Sequence, residues 1–258
     1  MSLKRYTYRI QPLSKLALSP REHQGYHLAA GDFKTEEIRD LNAKDIKIIY
    51  PFYQYGSYES YQPDKTEYYI PGSSIKGALI SGIQKNPAKL MVDDIRIEQG
   101  DLELTQLHKL QHMSQDASKS VKLAPFFPNV AVEMLKAGCG CAGELFCEAD
   151  VSTYLQTAHK KTLDKLKQLH DKLVKMRRDN IINEAAIQHV SDLIGNIDRV
   201  RDTHHDSCLL LLGGYKGLVL SGLFDITDFD KLETAVYVDQ PACLPYGLVQ
   251  ITDIKEMV

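Results

Sequence analysis

With 258 residues, the chain has core enough for one large or two small domains, and its net charge of −3 is not that of a free-standing nucleic-acid binder. Any nucleic-acid contact must come from a local basic patch or be shared with other subunits. Five cysteines, an odd number at irregular spacing, argue against a disulfide scaffold. The start carries no apolar leader, and no apolar run reaches the roughly 18 residues of a membrane span, so a cytoplasmic protein with no membrane segment is expected.

Arg5 to Ile10 alternates, with Tyr6, Tyr8 and Ile10 on one face, and predicts a first strand that Leu13 to Leu18 continues. Ser19-Pro20 breaks it, and Arg21 to Asp32 reads as a polar loop. Thr35 to Asn42 carries Ile38 and Leu41 at helical spacing and predicts one short helix. Ile46 to Tyr50 reads as a strand ended by Pro51. Residues 52–63 are rich in tyrosine and glycine. Tyr53, Tyr55, Tyr58 and Tyr61 either stack on unpaired bases or pack the loop on itself.

Glu67 to Ile70 predicts a strand end, Pro71-Gly72 a tight turn, and Ser73 or Ser74 an N-cap. Ile75, Leu79 and Ile83 then recur at helical spacing. Such a turn offers backbone N–H groups, two hydroxyls, Lys76 and a helix N-terminus, all suited to phosphate. Equally, it is a capped turn with no ligand. A P-loop is excluded: Gly72 and Gly77 have its spacing, but Ala78 and Leu79 stand where lysine and serine or threonine are needed.

Leu90 to Ile97 reads as extended, with Asp93-Asp94 at a turn or edge. Neighbours on a strand point to opposite faces, so this pair does not chelate one ion unless the backbone turns there. Leu102 to Leu104 is a short strand, residues 111–122 a mobile loop, and Leu123 to Phe127 a segment closed by Pro128. Glu144 to Ala149 is a further strand. Cys139-Gly140-Cys141 with Cys147 is a weak zinc half-site, and buried thiols are the simpler reading, so no metal is expected.

From Val151 to Asp202 the pattern is helical, with Leu166, Leu169, Leu173 and Met176 in one stripe and a break at Asp179-Asn180. Its many lysines either meet RNA or form a solvated face. His204-His205-Asp206 sits in a polar linker. Cys208 to Leu212 is a buried strand delivering Gly213-Gly214-Tyr215-Lys216-Gly217. There glycine permits close approach to a phosphate, while Tyr215 and Lys216 supply stacking and charge. Ala235 to Val238 is a strand, and Leu244 to Ile251 a turn into the last one.

Ile70-Pro71-Gly72-Ser73-Ser74-Ile75-Lys76-Gly77-Ala78 resembles the I-P-G-S-S-[LI]-K-G-[AVL] signature of the RAMP superfamily, the RNA-binding subunits of type III CRISPR effector complexes. Ser19 to Gly25 resembles, in part, the segment that follows the family's first strand. Met91-Val92-Asp93 looks like its short "vsD" segment, and Val132 to Gly138 like its "yrEvlkpGt" strand and turn. Gly213 to Leu218 is similar to the family's late glycine-rich "lLGgGtGl" loop, with Tyr215 and Lys216 where that pattern has glycine and a small residue. Leu244 to Ile251 looks like its "lPlGwvkl" end.

The resemblance implies an α+β fold: a ferredoxin-like (RRM-type) core with a helical insertion. The first part of the core, residues 1–150, carries the IPGSS turn. Residues 151–202 form the inserted helical hairpin, and 203–258 the C-terminal part of the core with its glycine-rich loop. It implies a non-catalytic subunit that binds CRISPR guide RNA beside other RAMP subunits, with no cofactor. The order of motifs most resembles the Csm-type subunit that caps the 3′ side of the guide in type III-A complexes. Gly72, Ser73, Ser74, Lys76 and Gly77 would hold guide phosphates, with Gly213, Gly214, Tyr215, Lys216 and Gly217 as the opposing loop. Two alternatives stay open: a target-RNA-cleaving backbone subunit using Asp32, and an interaction-only assembly subunit.

Overall fold

The structure, a computed structural model, describes residues 3–20, 24–38, 41, 45–81, 83, 89–112, 121–148, 150–204, 207–221 and 234–257. The fold is mixed α+β, with several sheets and four helices among the described residues. In chain order the first strands are β1 (Lys4–Pro12), β2 (Tyr26–His27), β3 (Ile48–Tyr50) and β4 (Tyr68–Ile70), which runs into helix α1 (Gly72–Ile80). Next come β5 (Leu90–Val92), β6 (Ile95–Ile97), β7 (Leu102–Thr105), β8 (His108–His112), β9 (Lys122–Pro125), β10 (Val130–Leu135) and β11 (Cys141–Cys147). The long helices α2 (Val151–Arg178) and α3 (Glu184–Thr203) follow. The chain then runs through β12 (Cys208–Leu211), α4 (Gly217–Ser221), β13 (Thr234–Asp239), β14 (Leu244–Pro245) and β15 (Leu248–Met257).

The main sheet has the order β12-β15-β1-β11-β5, so the first and last strands lie side by side at its centre. Each of its adjacent pairs is antiparallel. Tyr6, Tyr8 and Ile10 of β1 alternate inward, as the period of two dictates, and meet Ile75 and Leu79 of α1 and Tyr154 and Leu155 of α2 in one core. A second core lies where Leu166, Leu169 and Leu173 of α2 meet Val190, Leu193 and Ile197 of α3, together with Leu209 and Val236. The smaller sheets are β2-β3-β10-β7, β14-β13-β8-β9 and β4-β6.

Several segments depart from what local pattern predicts. The first strand stops at Pro12, and beyond it Leu16 makes a lone bridge to Leu135. Within the expected polar loop, Tyr26 is buried and pairs with Ile49, because a tyrosine contributes too much apolar area to leave in water. Thr35–Glu37 is a single 3-10 turn closed at Ile38, and Arg39, Asp40 and Asn42 of the expected helix lie outside the described residues. Gln111 and Lys122, expected in a loop, pair across the β8–β9 hairpin, while 113–120 lie outside the described residues. Asp93-Asp94 is the turn between β5 and β6, and β11 starts at Cys141. The expectations for Arg21 to His23, and for His205 and Asp206, fall outside the described residues.

Candidate nucleic-acid interface

Helix α1 begins two or three residues earlier than its serines suggest. Pro71 occupies the N-cap position and has no side-chain acceptor. The cap comes from far along the chain instead: pairing of β4 with β6 brings Asp94 up, and its Oδ1 accepts the Gly72 amide at 2.7 Å. Gly72 is buried, and a Cβ there would sit 2.0 Å from the Val92 carbonyl oxygen. A carboxylate thus already accepts the first amide of the helix, at the end where an anion would otherwise bind. The Gly72 amide, expected on the phosphate path, is thus engaged by Asp94.

The flank of α1 is different. Ser74, Gly77, Ala78 and Ser81 form one wall of a cleft of about 630 Å³. A Cβ on Gly77 would meet nothing within 4 Å. The opposite wall is the loop after β12, with Gly213, Gly214, Tyr215 and Lys216. The structure therefore brings the two predicted stretches together across one space. Ser73, Lys76 and Gly217 are not among the residues that line it; Gly217 instead opens α4, packed close to the Ala235 carbonyl.

The loop's shape follows from its backbone. Gly213 has φ +75° and passes so close to Ala17 that a Cβ would lie 2.2 Å from its carbonyl oxygen. The Gly214 amide donates to that same oxygen at 3.1 Å. Tyr215 takes a left-handed φ of 54°, the conformation for which glycine would be the usual residue. Its ring packs edge-on against Tyr237 at 6.0 Å, and burial pushes its hydroxyl up to about 12. Packing thus holds the turn geometry without the glycine. Lys216 Nζ donates to the Leu211 carbonyl at 2.8 Å.

The floor is α2. Ala158, Lys161, Thr162 and Lys165 share one helical stripe facing the cleft. Lys161 Nζ donates to Ser81 Oγ at 2.8 Å and ties α2 to the end of α1. Lys165 Nζ reaches the Ser221 carbonyl at 3.5 Å. Its pKa is lowered, first by burial and then by the charge of Lys161. No aspartate or glutamate occurs among the described lining residues. Three ammonium groups therefore line a space whose described lining residues include no carboxylate. Two of them are a like-charged pair one helical turn apart, an arrangement that a bound anion would relieve. Sequence reading named α2 only as a basic helix. Ala158, Lys161, Thr162 and Lys165 recur at i, i+3, i+4 and i+7, but no sequence signal separates this stripe from the other basic faces of α2.

Aromatic side chains complete the rim: Tyr50, Tyr53, Phe126 and Phe127. Phe127 is 57% exposed, takes a φ of 53° and leans on Phe126 at 4.2 Å. Of the four loop tyrosines, Tyr61 is buried and Tyr58 bonds back to Gln54, so these two pack the loop; Tyr53 and Tyr55 face outward.

Asp32 is not a cleft residue. Its Oδ2 accepts the His27 amide at 2.8 Å and closes the turn after β2. Cys141 and Cys147 are buried thiols, and Cys139 lies 3.4 Å from Asp101 Oδ1. Among the described residues no three His, Cys, Asp or Glu side chains gather as a metal site, and no helix is long and apolar enough to cross a membrane.

The site is thus a basic, aromatic-rimmed cleft, with no carboxylate among its described lining residues, between a helix flank and a glycine-bearing loop on an α+β scaffold. No family model matches the chain, and no curated protein matches it. Among solved structures, its fold is similar to that of a chain in the Csm–crRNA–target RNA ternary complex of a type III-A CRISPR-Cas system. The TM-score is 0.53 at 11% identity, over 97% of this chain and 100% of that one. A weaker likeness, TM-score 0.42 at 11% identity over 93% of this chain and 99% of that chain, is to Csm5 of T. onnurineus. The first is a likeness of fold.

Proposed function

We propose that this chain is a non-catalytic RNA-binding subunit of a type III, Csm-like CRISPR effector complex, in antiviral defence. It holds guide RNA in the cleft between α1 and the 213–217 loop and assembles with other RAMP subunits in the cytoplasm. The observation that carries this reading is the cleft itself: Lys161, Lys165 and Lys216 line it, no carboxylate occurs among its described lining residues, and Tyr50, Tyr53 and Phe127 rim it. Cations without base-reading partners suit a phosphate backbone, and exposed ring faces suit unpaired bases.

Topology supports the finer fold reading. Without its edge strand β12, the main sheet runs β15-β1-β11-β5, with α1 between β1 and β5 and α2 after β11. That is the order of a ferredoxin-like βαββαβ unit, into which α3 and the second half of α2 are inserted. The order of motifs supports the place at the 3′ side of the guide.

Binding of single-stranded RNA by the purified chain tests the reading. Affinity should fall steeply with salt and change little with sequence. Lys161→Ala with Lys165→Ala should weaken binding by roughly one to two decades, since a charge-assisted contact contributes roughly 1.5–3 kcal/mol. The salt slope should shrink by roughly 0.7 for each phosphate contact removed. Lys76→Ala, off the lining, should change affinity only about twofold, a long-range charge effect. A strong preference for one short sequence at constant salt, or unchanged affinity in the double variant, would overturn it.

A further inference from the structure

We infer that the binding path continues out of the cleft over a ladder of three tyrosine rings, Tyr53, Tyr69 and Tyr55, on which the bases of a single strand stack. This rests on the cleft reading above. Residues 53–55 run alongside β4: the Tyr55 amide donates to the Glu67 carbonyl at 2.9 Å and the Tyr69 amide to that of Tyr53 at 3.0 Å. Gln54 bridges to Tyr68, and both are buried. Alternation then puts Tyr53, Tyr55 and Tyr69 together on the outer face.

The rings touch in series. Tyr53, already a cleft wall, meets Tyr69 at 5.8 Å, and Tyr69 stacks on Tyr55 at 4.3 Å with planes 20° apart. Tyr55 remains 43% exposed at the far end, offering a ring face to solvent. Across β4–β6 Tyr69 is paired directly with Arg96, so this exposed guanidinium flanks the ladder on the same face and supplies charge for the backbone. A protein partner would also favour tyrosine and arginine. Continuity with a cleft that has no carboxylate among its described lining residues, and an exposed terminal ring, favour a nucleic-acid strand.

The chain contains no tryptophan, so Tyr55→Trp places a single indole at the end of the ladder. Full-length Tyr55→Trp protein is titrated with a single-stranded oligouridylate long enough to run from the cleft past position 55. Quenching of the indole emission is expected, and Tyr55→Ala should bind this RNA about tenfold more weakly. A short oligomer confined to the cleft should bind wild type and Tyr55→Ala alike. Unchanged emission, together with Tyr55→Ala affinity within about twofold of wild type, overturns the ladder. If Lys161→Ala still weakens binding in that case, the cleft reading stands and the tyrosines are a protein contact. Failure of wild type to bind RNA at all removes both.

Discussion

The two glycine-bearing turns named by their motifs are anchored in opposite ways. The turn at 71–77 is held by carboxylates: Asp94 accepts the Gly72 amide, and Glu133 accepts the Tyr68 hydroxyl at 2.9 Å from the strand that feeds the turn. The loop at 213–217 is held by backbone carbonyls, those of Ala17 and Leu211. The first turn therefore carries negative charge where its motif suggests an anion site, and only the helix flank beyond it reaches the cleft. The second presents almost its whole length. The comparison teaches that a phosphate-type motif can deliver its helix flank to the site while its mouth serves the fold.

The largest effect should separate the two glycines within the first motif. Gly72→Ala forces a Cβ against the Val92 carbonyl, a backbone atom that cannot rotate away. A loss of about 3 kcal/mol or more, hence a fall in Tm of roughly 6–12 °C, is expected by thermal unfolding. Gly77→Ala meets open space in a helix interior and should raise stability by roughly 0.5–1 kcal/mol. Equal Tm values for the two variants would break the distinction between a structural mouth and a ligand-facing flank.

Sequence alone located both walls of the cleft, because each is a short local event: a strand, a glycine and a helix start. The leucine spacing likewise placed α2, and the break at Asp179-Asn180 separated it from α3. Three things were not legible. The stripe Ala158-Lys161-Thr162-Lys165 is one of several basic faces on α2, and only packing of α1 against α2 selects it. Asp94 displaced the local serine caps because it arrives through β4–β6 pairing, which no local pattern encodes. The tyrosines of 52–63 divide by strand alternation along 53–55, visible only once that segment pairs with β4.

A second, smaller effect should show that carboxylate anchoring makes the first turn sensitive to pH. Glu133 is almost wholly buried, and its carboxylate accepts the Phe52 amide at 3.0 Å as well as Tyr68. Burial raises its pKa above the ordinary 4.5, against the lowering effect of those hydrogen bonds. The sign follows from proton binding. Below the unfolded value both states are protonated and the contribution is fully present. As pH rises the unfolded chain releases its proton while the folded one retains it, so stability falls until the folded pKa is passed. The contribution of Glu133 to stability should therefore drop from about pH 4.5 upward, by at most about 1.4 kcal/mol per pH unit. Glu133→Gln, which keeps an acceptor for the Phe52 amide, should flatten that slope. Denaturant titrations at several pH values check this, and parallel profiles for the two proteins would remove Glu133 from the account.

The smallest effect decides whether the mouth of α1 is closed by charge or by packing. Asp94→Asn keeps an oxygen for the Gly72 amide but removes the negative charge at the helix N-terminus. It should lower stability by roughly 0.3–1 kcal/mol. If charge alone excluded RNA phosphate from the mouth, this variant would bind single-stranded RNA markedly more tightly. The structure predicts otherwise. Gly72 is buried against Val92 whatever the charge at position 94, so a phosphate gains no access to its amide. RNA affinity within about twofold of wild type is therefore expected, measured at the ionic strength used for the lysine variants. A tenfold gain would return the helix mouth to the RNA path. An unchanged affinity beside the small stability loss would leave the flank of α1, the 213–216 loop and the α2 stripe as the charged and polar surface that the strand meets.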